Sequence, residues 1–183
     1  MIVLVGFMGA GKTTVGKLLA DRLGLAFTDS DQVIEQRADR PVRQIFAEDG
    51  EPAFRALEHQ VIADLLDGPA IVLALGGGAA EDPRTRDKLA CSPGAQVVYL
   101  QVAYEQALLR VGGDAGRPLL ARPDLAALYQ RRLPTYTAVA TLIVATDGRR
   151  PEAVSEEVLA QLIRVPAAGN RPPYSSAPMP ERG

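Results

Sequence analysis

Hydrophobic positions along the chain fall into two alternating kinds of segment. Short apolar runs occur at residues 2–5, 25–28, 71–75, 97–100 and 142–145. They are rich in β-branched residues and mostly lack polar alternation, which predicts strands covered on both faces. Between them the apolar positions recur at helical spacing. Val15, Leu18, Leu19 and Leu23 form one stripe, and Phe54, Leu57, Val61, Ile62, Leu65 and Leu66 form a longer one. Further helices are predicted over residues 85–89, 104–111, 125–133 and 152–163, the last entered through Pro151. Strands alternating with helices of this length predict an α/β fold, a parallel sheet sandwiched between helices, with ligands gathered at the carboxyl ends of the strands.

The first strand leads directly into Gly6-Phe7-Met8-Gly9-Ala10-Gly11-Lys12-Thr13, and the first helical stripe follows. Strand, glycine-rich loop, Lys-Thr pair and helix in this register form a P-loop, whose backbone amides and helix N-terminus together attract phosphate. Gly9, Ala10 and Gly11 are expected to line the phosphates of ATP, Lys12 to reach the β- and γ-phosphoryl oxygens, and Thr13 to place its hydroxyl on Mg²⁺. Thr14, in the first helical turn, is expected near the α-phosphate.

Two carboxylates, Asp29 and Asp31, follow the second apolar run. On an extended backbone this spacing turns both to one side. The third run leads into Gly76-Gly77-Gly78 with no carboxylate, so Asp29 is the candidate for the magnesium side and Asp31 for an acceptor hydroxyl, which it could orient and deprotonate. Capping of a helix beginning near Gln32 is the plainer alternative. Arg55, Arg117, Arg131, Arg132, Arg149 and Arg150 are candidates for an anionic acceptor, since a guanidinium can grip a carboxylate or phosphate by two parallel hydrogen bonds. Spacing alone does not say which of them converge. Gly112 to Pro118 is dense in small residues and predicts a lid that brings Arg117 over the phosphates. His59, the lone histidine, has no metal-binding companions and is expected to be solvated or locally hydrogen-bonded.

Composition narrows the setting. A chain of 183 residues with 47% hydrophobic and 23% charged residues suits one domain, expected to span residues 1–164 with its lid at about 112–124. A net charge of -2 argues against nucleic acid as a partner. The opening apolar run is broken too soon for a signal segment or a membrane span, and Cys91 has no cysteine to pair with. A cytoplasmic protein without membrane attachment is therefore expected. Residues 165–183, rich in Pro, Gly, Ser and Ala, read as a flexible tail.

Six segments, taken in order, resemble the shikimate kinase family: GFMGAGKTTVGKLLA, the Asp29-Ser30-Asp31 triplet, IFAEDGEPAFRALE, LGGGA, RPLL and RRLPTY. The resemblance runs from Met1 to about Leu162. It implies a nucleotide-kinase-like P-loop fold, a three-layer α/β/α sandwich with a five-stranded parallel sheet, that phosphorylates the 3-hydroxyl of shikimate on the route to chorismate and the aromatic amino acids. Carried onto this chain, it implies that Asp31 contacts the shikimate hydroxyls and that Arg55 and Arg132 hold its carboxylate. The run Gly76, Gly77 and Gly78 would border the acceptor, Gly77 through its backbone. Lys12 and Arg117 would serve the phosphates, Thr13 and Asp29 the magnesium, and Arg110 and Arg149 would flank adenine. It also implies a monomer.

Overall fold

The computed structural model describes residues 1–112 and 124–164. Five strands, β1 (Ile2–Val5), β2 (Ala26–Asp29), β3 (Ile71–Ala74), β4 (Gln96–Gln101) and β5 (Leu142–Ala145), form one parallel sheet in the order β2-β3-β1-β4-β5. In register, Leu4 of β1 lies opposite Ala74 of β3 and Val98 of β4. The β1-to-β2 connection crosses the sheet in one direction, and every later connection runs in the other. Right-handed crossovers then assign helix α1 (Lys12–Leu23) to one face. The helices α4 (Gly50–Asp67), α5 (Pro83–Ala90) and α7 (Leu125–Val139) fall on the opposite face, with α6 (Tyr104–Val111) leading towards α7. The final helix, α8 (Pro151–Arg164), follows β5 and packs against α1 to complete the three layers. Two short helices, α2 (Ser30–Ala38) and α3 (Val42–Glu48), precede α4. The chain leaves central β1 towards β2 but leaves β3 over β1 towards β4, so the carboxyl end of β1 is a topological switch point, the place where such sheets hold ligands.

The main core is built from β1, β3 and β4 with the inner faces of α1, α7 and α8. A second, smaller core of Ile34, Ile45, Phe54 and Val61 joins α2, α3 and the first turns of α4. The expectation that the strands are covered on both faces holds for β1 and β3 but not at the edges. β5 alternates buried and exposed positions, leaving Ile143 43% exposed, because an edge strand has helical cover on one face only. In α1 the stripe ends early: Leu23 is exposed, and the inner face is completed by Gly16 and Ala20. Gly16 admits the ring of Phe27, which would come within 2.5 Å of a Cβ at that position.

Helix α7 runs on to Val139, past Pro134, where the sequence predicts an end near residue 133. Pro134 withholds the N–H that the Gln130 carbonyl would accept. Burial of Tyr136 and Val139, and the hydrogen bond from the Tyr136 hydroxyl to the Gly77 carbonyl, hold the helix through that gap. Among the described residues no helix is long and apolar enough to cross a membrane. The predicted lid, with Arg117, and the predicted tail beyond residue 164 lie outside the described residues.

Candidate active site

The loop after β1 takes a shape that side chains would prevent. Gly6 has φ +146° and Gly9 φ +74°, both in the region that favours glycine. A Cβ on Gly6 would lie 2.6 Å from the Leu100 carbonyl oxygen, and one on Gly9 would lie 2.7 Å from that of Ala107, so the loop is pressed against β4 and α6. α1 starts at Lys12, so the positive end of its dipole meets the cleft that Lys12, Thr13 and Thr14 line. The Lys12 ammonium donates to the carbonyls of Gly6 at 2.9 Å and Phe7 at 3.2 Å. The Thr13 hydroxyl donates to Asp29 Oδ2 at 3.4 Å.

Asp29 and Asp31 do not both lie on an extended backbone as the spacing suggested: Asp29 does, and Asp31 does not. The strand ends at Asp29, which caps α2 by accepting from the Asp31 amide at 3.0 Å, while Asp31 sits in the first turn. Strand-to-helix transition and cap together still turn both carboxylates towards the loop, so capping and a site position coincide in Asp29. Burial, with repulsion from Asp29 second, pushes the Asp31 carboxyl up to about 6, against the pull of Lys12.

The glycine run after β3 forms the opposite wall. Ser30, fully buried, accepts from the Gly76 amide at 2.9 Å and ties this run to α2. A Cβ on Gly76 would stand 2.5 Å from Asp31 Oδ1 and 3.0 Å from Glu58 Oε1. A Cβ on Gly78 would stand 2.6 and 2.7 Å from the terminal nitrogens of Arg55, and 2.9 Å from Arg132 Nη2. One point beside Gly78 is therefore at hydrogen-bonding distance from three guanidinium nitrogens on two arginines. Arg55 lies beside the rings of Phe46 and Phe54, 5.9 and 5.3 Å from their centroids, and donates to Glu58 at 2.6 Å. Arg132 donates through Nε to Glu81 at 2.8 Å.

One cleft of about 1240 Å³ is lined by Gly9, Ala10, Gly11, Lys12, Thr13, Thr14, Asp29, Asp31, Arg55, Gly76, Gly77, Gly78, Arg110, Arg132 and Arg149, whereas the candidate Arg150 is not part of its lining. Arg131 also reaches it, at the rim. Arg110 is anchored by bonds to the Gly9 carbonyl and to Thr146, and Arg149 by the Ala145 carbonyl and Glu157. His59 instead pairs with Thr85.

Sequence reading missed Glu58 and Glu81. Glu58 is 2% exposed, and burial pushes its carboxyl up to about 7 although Arg55 pulls the other way. Its position was a signal: it stands four residues after Phe54 and four before Ile62, inside the apolar stripe of α4, where an acid needs a partner. Glu81 lies in a short 3₁₀ turn and gave no periodic signal. Among the described residues no group of three or more His, Cys, Asp or Glu side chains could hold a metal ion.

A P-loop at the switch point of a parallel sheet, facing a carboxylate and two converging arginines, defines a phosphotransferase of the P-loop kinase class. The family model for shikimate kinase matches residues 8–163. A shikimate kinase of Thermobifida fusca (strain YX) is 49% identical over 173 residues, covering 93% of this chain and 97% of that one. Among solved structures, shikimate kinase from Acinetobacter baumannii in complex with shikimate superposes with a TM-score of 0.83 at 38% identity, covering 89% of this chain and 92% of that one. A gluconokinase from Sinorhizobium meliloti 1021, at 23% identity and a TM-score of 0.60 over 89% of this chain and 91% of its own, shares the fold alone. The chain belongs to the shikimate kinase family.

Proposed function

We propose that this protein transfers the γ-phosphoryl group of ATP to the 3-hydroxyl of shikimate, giving shikimate 3-phosphate and ADP. The observation that carries the reading is the point beside Gly78 reached by both Arg55 and Arg132, on the same cleft as Asp31 and the P-loop. An acceptor with one carboxylate and ring hydroxyls fits that spacing of charges: the carboxylate on the guanidiniums, a hydroxyl on Asp31, and the phosphates on Gly9 to Thr14. Asp31 orients the attacking oxygen and takes its proton as the new P–O bond forms and the bond to the ADP oxygen breaks. Lys12 meets the charge spread over the transferring group, where a fixed cation lowers the barrier. By family resemblance Arg117 joins Lys12 there, as part of a lid at about 112–124 on a domain of residues 1–164, and Arg110 and Arg149 flank the adenine.

The Thr13 hydroxyl and the Asp29 carboxylate are adjacent oxygen donors beside the phosphate loop, which suits Mg²⁺ held by one or two protein oxygens together with phosphate oxygens and water. When bound, the ion would neutralise phosphate charge. The protein is proposed to act as a monomer in the cytoplasm, on small molecules and away from nucleic acid and membranes. The test is a coupled ADP-release assay on shikimate, quinate, gluconate and nucleoside monophosphates. Shikimate should give the highest kcat/KM, and faster turnover of gluconate or a nucleotide would overturn the assignment.

A further inference from the structure

The acceptor site needs the Arg132 fork aimed at a carboxylate, and the Arg132 side chain is only 7% exposed. A guanidinium carries its five N–H donors in a fixed plane, so whatever grips one edge decides where the other points. Glu81 grips one edge. Its Oε2 accepts from Arg132 Nε at 2.8 Å and pairs with Nη2 at 2.6 Å, both on the side edge of the fork. The end edge faces the glycine run, with Nη1 3.4 Å from the position of a Cβ on Gly77 and Nη2 2.9 Å from that on Gly78.

Glu81 is itself held in place. Its amide donates to the Gly78 carbonyl at 2.9 Å, closing the 3₁₀ turn, and its carbonyl accepts from Arg86 at 2.8 Å. Arg86 also donates to the Ala80 carbonyl at 3.0 Å. The same short turn thus carries the glycine that borders the acceptor and the carboxylate that grips the arginine. Arg55 has a matching arrangement: its Nε and Nη2 donate to Glu51 Oε1 at 3.3 and 3.2 Å, while Nη1 donates to Glu58. Glu81 is 30% exposed and Arg132 7%, so the pair is only partly wetted, and its effect on the acceptor site lies in direction.

We propose that Glu81 is a positioning residue of the acceptor site, occupying the side edge of Arg132 so that the end edge is presented, opposite Arg55, to the carboxylate of the acceptor. This rests on the acceptor reading given above. It also assigns the turn after the glycine run a part in substrate selection.

The test compares kcat/KM for shikimate and for its methyl ester in the wild type, Glu81→Ala, Glu81→Gln and Glu81→Asp, with KM for ATP and thermal melts alongside. In Glu81→Ala the shikimate KM should rise and the acid-over-ester ratio should fall by about tenfold or more, with KM for ATP and kcat within about threefold of wild type. Glu81→Gln keeps a side-chain oxygen able to accept from Nε and Nη2, so its ratio should stay within about threefold of wild type. An unchanged ratio in Glu81→Ala, equal losses on acid and ester, or tighter shikimate binding would each overturn the proposal. The last of these would make Glu81 a competitor for Arg132. If Glu81→Ala does not fold, Glu81→Asp decides: one methylene shorter, it should lose part of the ratio, and a wild-type ratio there overturns the proposal. A wild type with no preference for the acid would instead sink the acceptor reading itself, and the role of Glu81 with it.

Discussion

Gly78→Ala should separate the acceptor site from the fold. Gly78 has φ -101° and ψ -6°, a conformation any residue adopts, so alanine brings no backbone strain there. The added methyl instead meets the terminal nitrogens of Arg55 at 2.6 and 2.7 Å and Arg132 Nη2 at 2.9 Å. These are the far ends of flexible side chains, which can swing away at little cost in stability, so the melting curve should stay within about 1 kcal/mol of wild type. Binding is another matter. The methyl fills the point where an acceptor oxygen would receive charged hydrogen bonds, each contributing roughly 1.5–3 kcal/mol. Losing one from each arginine comes to about 3–6 kcal/mol, or some 10²- to 10⁴-fold in affinity for shikimate. Steady-state kinetics with each substrate varied in turn, supported by calorimetric titration of shikimate, would measure this. KM for ATP should stay nearly constant, because Gly9 to Thr14 lie on another wall. A folded variant with a shikimate KM within about threefold of wild type would refute the convergence of the two arginines on the acceptor.

Gly9→Ala should do the reverse. The new methyl meets the Ala107 backbone at 2.7 Å at a position with φ +74°, so neither neighbour can yield cheaply, and about 2–4 kcal/mol of stability should be lost, readable as a fall of roughly 5–15 °C in Tm. With the Asp31 carboxyl pushed up to about 6, kcat/KM should rise with pH through that value as the base ionises, and Asp31→Asn should abolish this limb and lower turnover about 10²-fold or more. The sign for stability is opposite. The folded state holds the Asp31 proton more tightly than the unfolded chain does, so stability falls as pH rises from about 4 to about 6. Above pH 7, Asp31→Asn should therefore melt higher than wild type, by up to about 3 kcal/mol, and a lower Tm there would contradict the buried, charged state assigned to Asp31.

The elements legible in the sequence were those in which one local rule acts alone. The P-loop declares itself because glycine conformations, the Lys-Thr pair and the following helix are consecutive in the chain. The interior strands show because burial on both faces writes an unbroken apolar run. Glu58 was within reach of a local rule, since Arg55 stands three residues before it in α4, and only its approach to Asp31 needs the fold; Glu81 needed a partner remote in sequence, Arg132, which α7 brings across to the turn. The end of α7 was misjudged because a proline rule is local, while the contacts that override it, through Tyr136 to Gly77 and Tyr99, come from the sheet. Asp29 and Asp31 share one cleft by a route other than the spacing suggested: the extended strand ends at Asp29, which caps α2 and brings Asp31 in on the first turn.

The wall made by Gly76, Gly77 and Gly78 bears on how this enzyme could escape an inhibitor. A compound seated on Arg55 and Arg132 would lean against backbone that carries no side chain. At Gly76 and Gly78 any substitution large enough to crowd such a compound must also displace the groups it touches, Asp31 and Glu58 at one and the two arginines at the other. Asp31 and the two arginines are the groups proposed to hold the natural acceptor, so on that reading resistance and activity at these two positions draw on the same few cubic ångströms and cannot be selected apart.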